Sequence, residues 1–176
     1  MKKLFLTVAV AAFGIVSAQN DAFRGAGDMR LNLGANIQSG GTGIVTSLDL
    51  GLGESFSVGA QAGYLLGVEE EVTGGKARAE HRFDVKARAN AHLGDVIGLP
   101  ENFDIYPGLN LGLKNFGAHA GVRYFFDKGF GVFAETQFPI AKYNKEGIRY
   151  RRFNNQFAFL IGASFDLNRN AGRAAD

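Results

Sequence analysis

The chain has no cysteine, no tryptophan and only 3 prolines in 176 residues. Without cysteine there is no disulfide framework, no thiolate metal site and no cysteine nucleophile. With so little proline, long extended segments can run unbroken. An excess of one charge sign is also lacking: 19 Lys and Arg face 17 Asp and Glu, a net charge of +2. That balance gives no reason to expect a nucleic-acid partner. Beyond Val16 no apolar run reaches the ~18 residues that a spanning helix needs. Glycine and phenylalanine are what the sequence has in abundance, with 25 and 16 residues. Together with 46% hydrophobic residues, this composition favours a β-rich folded chain over a disordered one.

The first residues read as an address. Lys2 and Lys3 form a basic start, Leu4 to Val16 form an apolar run, and Val16-Ser17-Ala18 fits a small-residue cleavage site. This tripartite pattern predicts an export signal over 1–18, removed before Gln19. The rest divides into a linker over 19–27, a barrel over 28–167 and a polar tail over 168–176.

Alternation with period two dominates the barrel region. Eight segments carry it: 29–37, 44–52, 56–68, 82–93, 104–114, 118–126, 130–138 and 156–167. The clearest sets Phe83, Val85, Ala87, Ala89 and Ala91 against Arg82, Asp84, Lys86, Arg88 and Asn90. Lengths near ten residues match the ~9–11 of a tilted membrane strand. Tight turns are predicted at Gly53-Glu54-Ser55 and Asp127-Lys128-Gly129, and long polar loops at 69–79 and 143–154. Alternating short and long connections are expected of an outer-membrane barrel. Two connections fit that rule less well, the long 94–103 and the short Asn115-Phe116.

Period two does not say which face is inside. Glycine does: Gly34, Gly51, Gly59, Gly63, Gly67, Gly108, Gly112, Gly121, Gly131 and Gly162 all share the polar face. A water-facing surface has no need of them, whereas the narrow lumen of an eight-stranded barrel must set small residues beside large ones. The polar face is therefore the expected lumen and the apolar face meets lipid. Phe56, Phe103, Phe126, Phe130 and Phe165 would form one aromatic rim, and Phe116, Phe138, Tyr143, Tyr150 and Phe153 the other. The predicted fold is all-β, an eight-stranded antiparallel up-and-down transmembrane barrel, expected as a monomer.

The segment Gly121-Val122-Arg123-Tyr124-Phe125, a turn, then Gly131-Val132-Phe133-Ala134-Glu135 resembles a hairpin of the OmpA/OmpX-like outer membrane protein beta-barrel domain family. Phe103 to Leu109 is similar to that family's preceding strand. The resemblance implies an eight-stranded barrel with a plugged interior and an outer-membrane location, and it implies no single function. Members usually close on a terminal aromatic strand residue; here Phe165 is followed by further residues, so that signal would be read internally.

The expected lumen carries Asp49, Asp84, Asp104, Glu135 and Asp166 against Arg30, Arg82, Lys86, Arg88, Lys114 and Arg123. Near balance of sign favours a salt-bridged plug over a selective filter, which would more often be a ring of one sign. Nothing places two carboxylates around a cleft for glycoside hydrolysis. The histidines, His81, His92 and His119, are each followed two residues on by Phe83, Gly94 and Gly121, so the His-x-Ser pair of lipid A deacylases is missing and no enzyme is expected. No cofactor or metal site is expected either. Gly25-Ala26-Gly27 and Gly40-Gly41-Thr42-Gly43 read as linker and turn. A basic cluster, Lys142, Lys145, Arg149, Arg151 and Arg152, would face lipopolysaccharide phosphates if its loop is extracellular. The expected function is non-enzymatic: envelope structure or surface interaction, with outer-membrane lipid as partner. The alternatives are a narrow porin-like channel and a soluble periplasmic barrel holding an apolar ligand.

Overall fold

A computed structural model describes residues 22–68, 79–127, 129–143 and 153–168. The predicted signal segment, most of the tail and most of the two long loops lie outside them. The described chain is all-β apart from one helical turn. Its strands are β1(Met29–Gln38), β2(Gly41–Gly53), β3(Phe56–Val68), β4(Phe83–Ala91), β5(Phe103–Gly112), β6(Asn115–Asp127), β7(Phe130–Lys142) and β8(Ala158–Asp166), with α1(Ala79–Arg82) ahead of β4. Each pairs antiparallel with its sequence neighbour, and β1 pairs with β8, so the sheet closes.

Closure gives every strand a neighbour on both sides, so the sheet has no edge strand. We call the end bearing Met29 and Asp166 the base, and the opposite end the crown. The hairpin β6–β7 turns at the base through Gly129, whose φ of 102° is open to glycine alone at little cost. Four register shifts, two between β2 and β3 and two between β6 and β7, bend those long ribbons around the barrel.

The strands alternate as their sequences do, with an inverted result. Charged and polar residues point in and are buried, including Arg30, Arg88, Arg123 and Glu135, while large apolar residues such as Leu33, Ile44, Leu109, Val132 and Ile161 are exposed on the outer wall. Inside, bulky groups sit across the ladder from glycine: Tyr106 beside Gly121, His119 beside Gly108, Phe133 beside Gly162 and Arg88 beside Gly59. A methyl group at Gly121 would run into the Tyr106 ring, and one at Gly108 into the His119 ring.

Three details differ from the sequence reading. First, Arg82 belongs to α1 and stays partly exposed, because the strand begins only at Phe83. Second, Phe153 is not on the outer rim: it is buried inside the crown against Leu65. Third, the segment read as a linker is packed from Ala22 onward. Ala22 N–H donates to the Glu101 carbonyl at 2.6 Å, and Gly27 N–H donates to Gly51 O at 2.8 Å. Residues 22–28 form a strap across the base.

Candidate functional site: a charge-filled lumen closed at both ends

β2, β4, β6 and β7 each send one charged group to the centre of the barrel. Arg88 Nη2 lies 2.7 Å from Glu135 Oε2, and its Nε lies 3.1 Å from Asp49 Oδ1. Arg123 Nη2 reaches the second oxygen of Asp49 at 3.1 Å. The chain Arg123–Asp49–Arg88–Glu135 thus crosses the lumen. Gln137 extends it, donating to Glu135 at 2.7 Å and to Gln61 at 2.7 Å, while Lys86 donates to the Gln137 oxygen at 3.0 Å. Lys86 also faces Asp84 at 3.7 Å. Arg123 stacks over the Tyr106 ring at 4.8 Å. Each charge of this central cluster therefore has an opposite partner, which buried ions require to stay ionised.

A second cluster closes the base. Arg30 pairs with Asp28 at 2.7 Å and with Asp166 at 3.3 Å, and Arg24 of the strap pairs with Asp166 at 2.7 Å. Arg30 also lies over Phe125 at 4.8 Å. At the crown, Gln38 donates to Asn154 Oδ1 at 3.1 Å and accepts from the Asn154 N–H at 2.9 Å. Asn115 holds the Asn154 carbonyl at 2.8 Å. Asn154 adopts a φ of 58°, a conformation its short polar side chain tolerates. With Phe153 inserted beside Leu65, this end is blocked as well.

The structure brings most of the predicted lumen residues together: Arg30, Asp49, Asp84, Lys86, Arg88, Asp104, Arg123, Glu135 and Asp166 are all buried. Two fall outside. Arg82 sits at the rim, its Nη1 donating to the Leu66 carbonyl at 3.5 Å while its own carbonyl accepts from Asn154 Nδ2 at 3.2 Å. Lys114 lies in the β5–β6 turn and donates to the His81 carbonyl at 2.9 Å; partial burial pushes its ammonium pKa down, opposed by nearby Asp84. Of the basic loop cluster, Lys142 ends β7 exposed at the crown, and Lys145, Arg149, Arg151 and Arg152 lie outside the described residues.

Several contributors had no signal as sites. Arg24 and Asp28 precede the first alternating residue, and Gln61 and Gln137 looked like ordinary polar-face residues. The least visible grouping is Ser57, His92 and Asp104. His92 Nδ1 lies 2.6 Å from Asp104 Oδ2, and its Nε2 lies 2.8 Å from Ser57 Oγ. No His-x-Ser spacing marks it, since the three come from β3, the residue after β4 and β5.

On the outer wall, five aromatics follow one another around the base: Phe103, Tyr124, Phe126, Phe130 and Phe165, with successive ring centres 5.2–6.5 Å apart. Tyr124 joins four of the predicted girdle members.

Fold and interior together define a closed eight-stranded up-and-down β-barrel with a filled polar lumen. A designed barrel described as "De novo design of transmembrane beta-barrels" shares this fold, with a TM-score of 0.54 and 9% identity over 82% of this chain and 98% of the design. The chain belongs to the Family of unknown function (DUF6646), which matches residues 13–167. No curated protein matches it in sequence.

Proposed function

We propose that the protein is an integral outer-membrane barrel whose interior is a salt-bridged plug, serving envelope structure or surface interaction. One observation carries this reading: the inverted packing, with Arg30, Arg88 and Arg123 buried while Leu33, Ile44, Leu109 and Ile161 stand exposed on the wall. A soluble barrel would have to hold that apolar wall in water, whereas hydrocarbon solvates it at no cost. The aromatic run around the base supports the reading by supplying an interfacial girdle, and so does the resemblance of 121–135 to OmpA/OmpX-like hairpins.

The base would face the periplasm, reached through export on the 1–18 signal, and the crown with its long loops would face outward. There the cluster around Lys142 would meet lipopolysaccharide phosphates. With the strap seated the barrel is a passive element, since Phe23 of the strap covers His92 and Ser57 is itself buried. The test is fractionation of the cell envelope. The mature protein should appear in the outer membrane and require detergent for release; recovery in the aqueous periplasmic fraction would overturn the proposal.

A further inference from the structure

The polar contacts around Ser57 fix where its proton points. Arg88 has only donors, and its Nε and Nη2 lie 3.4 Å from Asn90 Oδ1. Asn90 therefore turns its amide nitrogen the other way, and that Nδ2 donates to Ser57 Oγ at 2.9 Å. One lone pair of Ser57 is thus occupied, and its own hydrogen is free to donate to His92 Nε2 at 2.8 Å. His92 Nε2 must then be an acceptor, which leaves its proton on Nδ1, facing Asp104 at 2.6 Å. This is the resting proton arrangement of a serine nucleophile, an imidazole base and an orienting carboxylate.

The backbone explains why these residues meet. The β4–β5 ladder runs only from Lys86–Asn90 to Gly108–Gly112. It stops beside Pro107, whose nitrogen has no hydrogen to donate. His92 follows the end of β4 there, between that break and Leu93, whose N–H rejoins the Ile105 carbonyl at 2.9 Å, and its ring faces Asp104.

The strap covers the imidazole, and Ser57 lies buried beside it. Phe23 lies flat on the His92 ring, with centres 3.5 Å apart and planes 6° from parallel. A cavity of about 740 Å³ opens at the base beside Phe23, Arg24, Glu54, Asp95, Val96 and Glu101. Behind it a much smaller cleft reaches His92 and Asp104, and Phe23 lines both. The ring stands between an entrance and the imidazole. Arg24 pins the strap through Asp166.

We propose that Ser57, His92 and Asp104 form a masked acyl-transfer site, exposed when the strap lifts Phe23 from His92. This goes beyond the plug reading and does not depend on which membrane holds the barrel. Ser57 Oγ would attack the carbonyl carbon of an ester while its proton passes to His92 Nε2. The carbon–oxygen bond to the leaving group then breaks, and the departing alkoxide takes that proton as an alcohol. Water, deprotonated by the same nitrogen, hydrolyses the acyl-Ser57 ester, releasing a carboxylic acid and returning the serine hydrogen. Asn90 Nδ2 is the donor at hand for the oxyanion. Glu54, Asp95 and Glu101 outnumber Arg24 in the cavity wall, and Arg24 is already paired with Asp28 and Asp166, so the entrance favours neutral or cationic acyl esters over anionic ones.

The experiment is covalent labelling of the folded full chain in detergent micelles with an uncharged alkyl fluorophosphonate. Ser57 Oγ would displace fluoride from phosphorus, with its proton taken up by His92. Peptide mass spectrometry locates the adduct, and heat-modifiable gel mobility confirms that each variant is folded. Phe23→Ala and Arg24→Ser, which loosen the strap in two different ways, should label at Ser57 at least about tenfold faster than the parent. Adding His92→Gln to either should lower the rate by about 100-fold or more, the scale of a lost general base. Adding Ser57→Ala should abolish the adduct. Folded Phe23→Ala and Arg24→Ser proteins that both leave Ser57 unmodified would overturn the proposal. So would labelling at Ser57 that His92→Gln leaves unchanged, because a merely exposed serine needs no imidazole.

Discussion

Arg88 is the side chain on which the centre of the lumen turns. Its guanidinium touches Glu135, Asp49, Gln61 and Asn90 and is itself 1% exposed. A planar fork can meet several carboxylate and amide oxygens at once, which a lysine ammonium could not do with the same geometry. Removing it strips Glu135 of its buried cation and leaves Asp49 with Arg123 alone. Arg88→Met should therefore destabilise the barrel by about 3–5 kcal/mol, the scale for breaking a buried ion pair from one side. Urea unfolding in lipid vesicles measures this. Pairing Arg88→Met with Glu135→Gln should recover part of the loss, since one unbalanced charge is then removed. A single substitution that leaves the unfolding midpoint in place would mean that water, not Arg88, balances Asp49 and Glu135.

At the scale of elements, the strands were legible because one physical rule governs all of them. Period two sorts side chains to two faces, and the glycines mark the face where side chains must fit across a narrow lumen. Leu65 is apolar on the glycine-bearing inward face of β3, and its position follows the same alternation: it meets Phe153 and forms the apolar part of the crown closure. What stayed hidden was everything that breaks periodicity. The strap carries no alternation, and its glycines read as a linker although Gly51 leaves room only for the Gly25 carbonyl against it. The Ser57–His92–Asp104 group was hidden for a related reason. Its members are far apart in sequence, and only the register of β3, β4 and β5 brings them together. The outer face gives a test of its own. Leu33 lies mid-strand in β1, outward and 46% exposed. Leu33→Arg should cost about 2–4 kcal/mol in a bilayer, as a cation at the midplane of a barrel wall does. In a soluble barrel the same change would be harmless or helpful, so unaltered stability in vesicles would count against lipid as the solvent of this face.

For the molecule as a whole, the question is whether the enclosed space is a passage. Three barriers lie in series along the axis. The base is crossed by the strap and the Arg24–Asp166 and Arg30–Asp28 pairs. The centre is crossed by Arg123–Asp49–Arg88–Glu135. The crown is filled by Phe153, Leu65 and the Gln38–Asn154 contacts. Opening only one leaves two intact, so a steady ion path needs all three to yield together. Eight strands enclose a space just wide enough for side chains to fill, and here the residues that fill it hold one another by paired charges. Purified protein in planar bilayers should accordingly give no stable conductance step at moderate voltage. Phe23→Ala, which loosens the base alone, should not create one. A defined, long-lived step in the parent protein would show that the lumen rearranges into a pore, and the porin-like alternative would then replace the plug. If Phe23→Ala conducts while the parent does not, the base would be the only effective barrier, and the central ion pairs would have to be read as the lining of a channel.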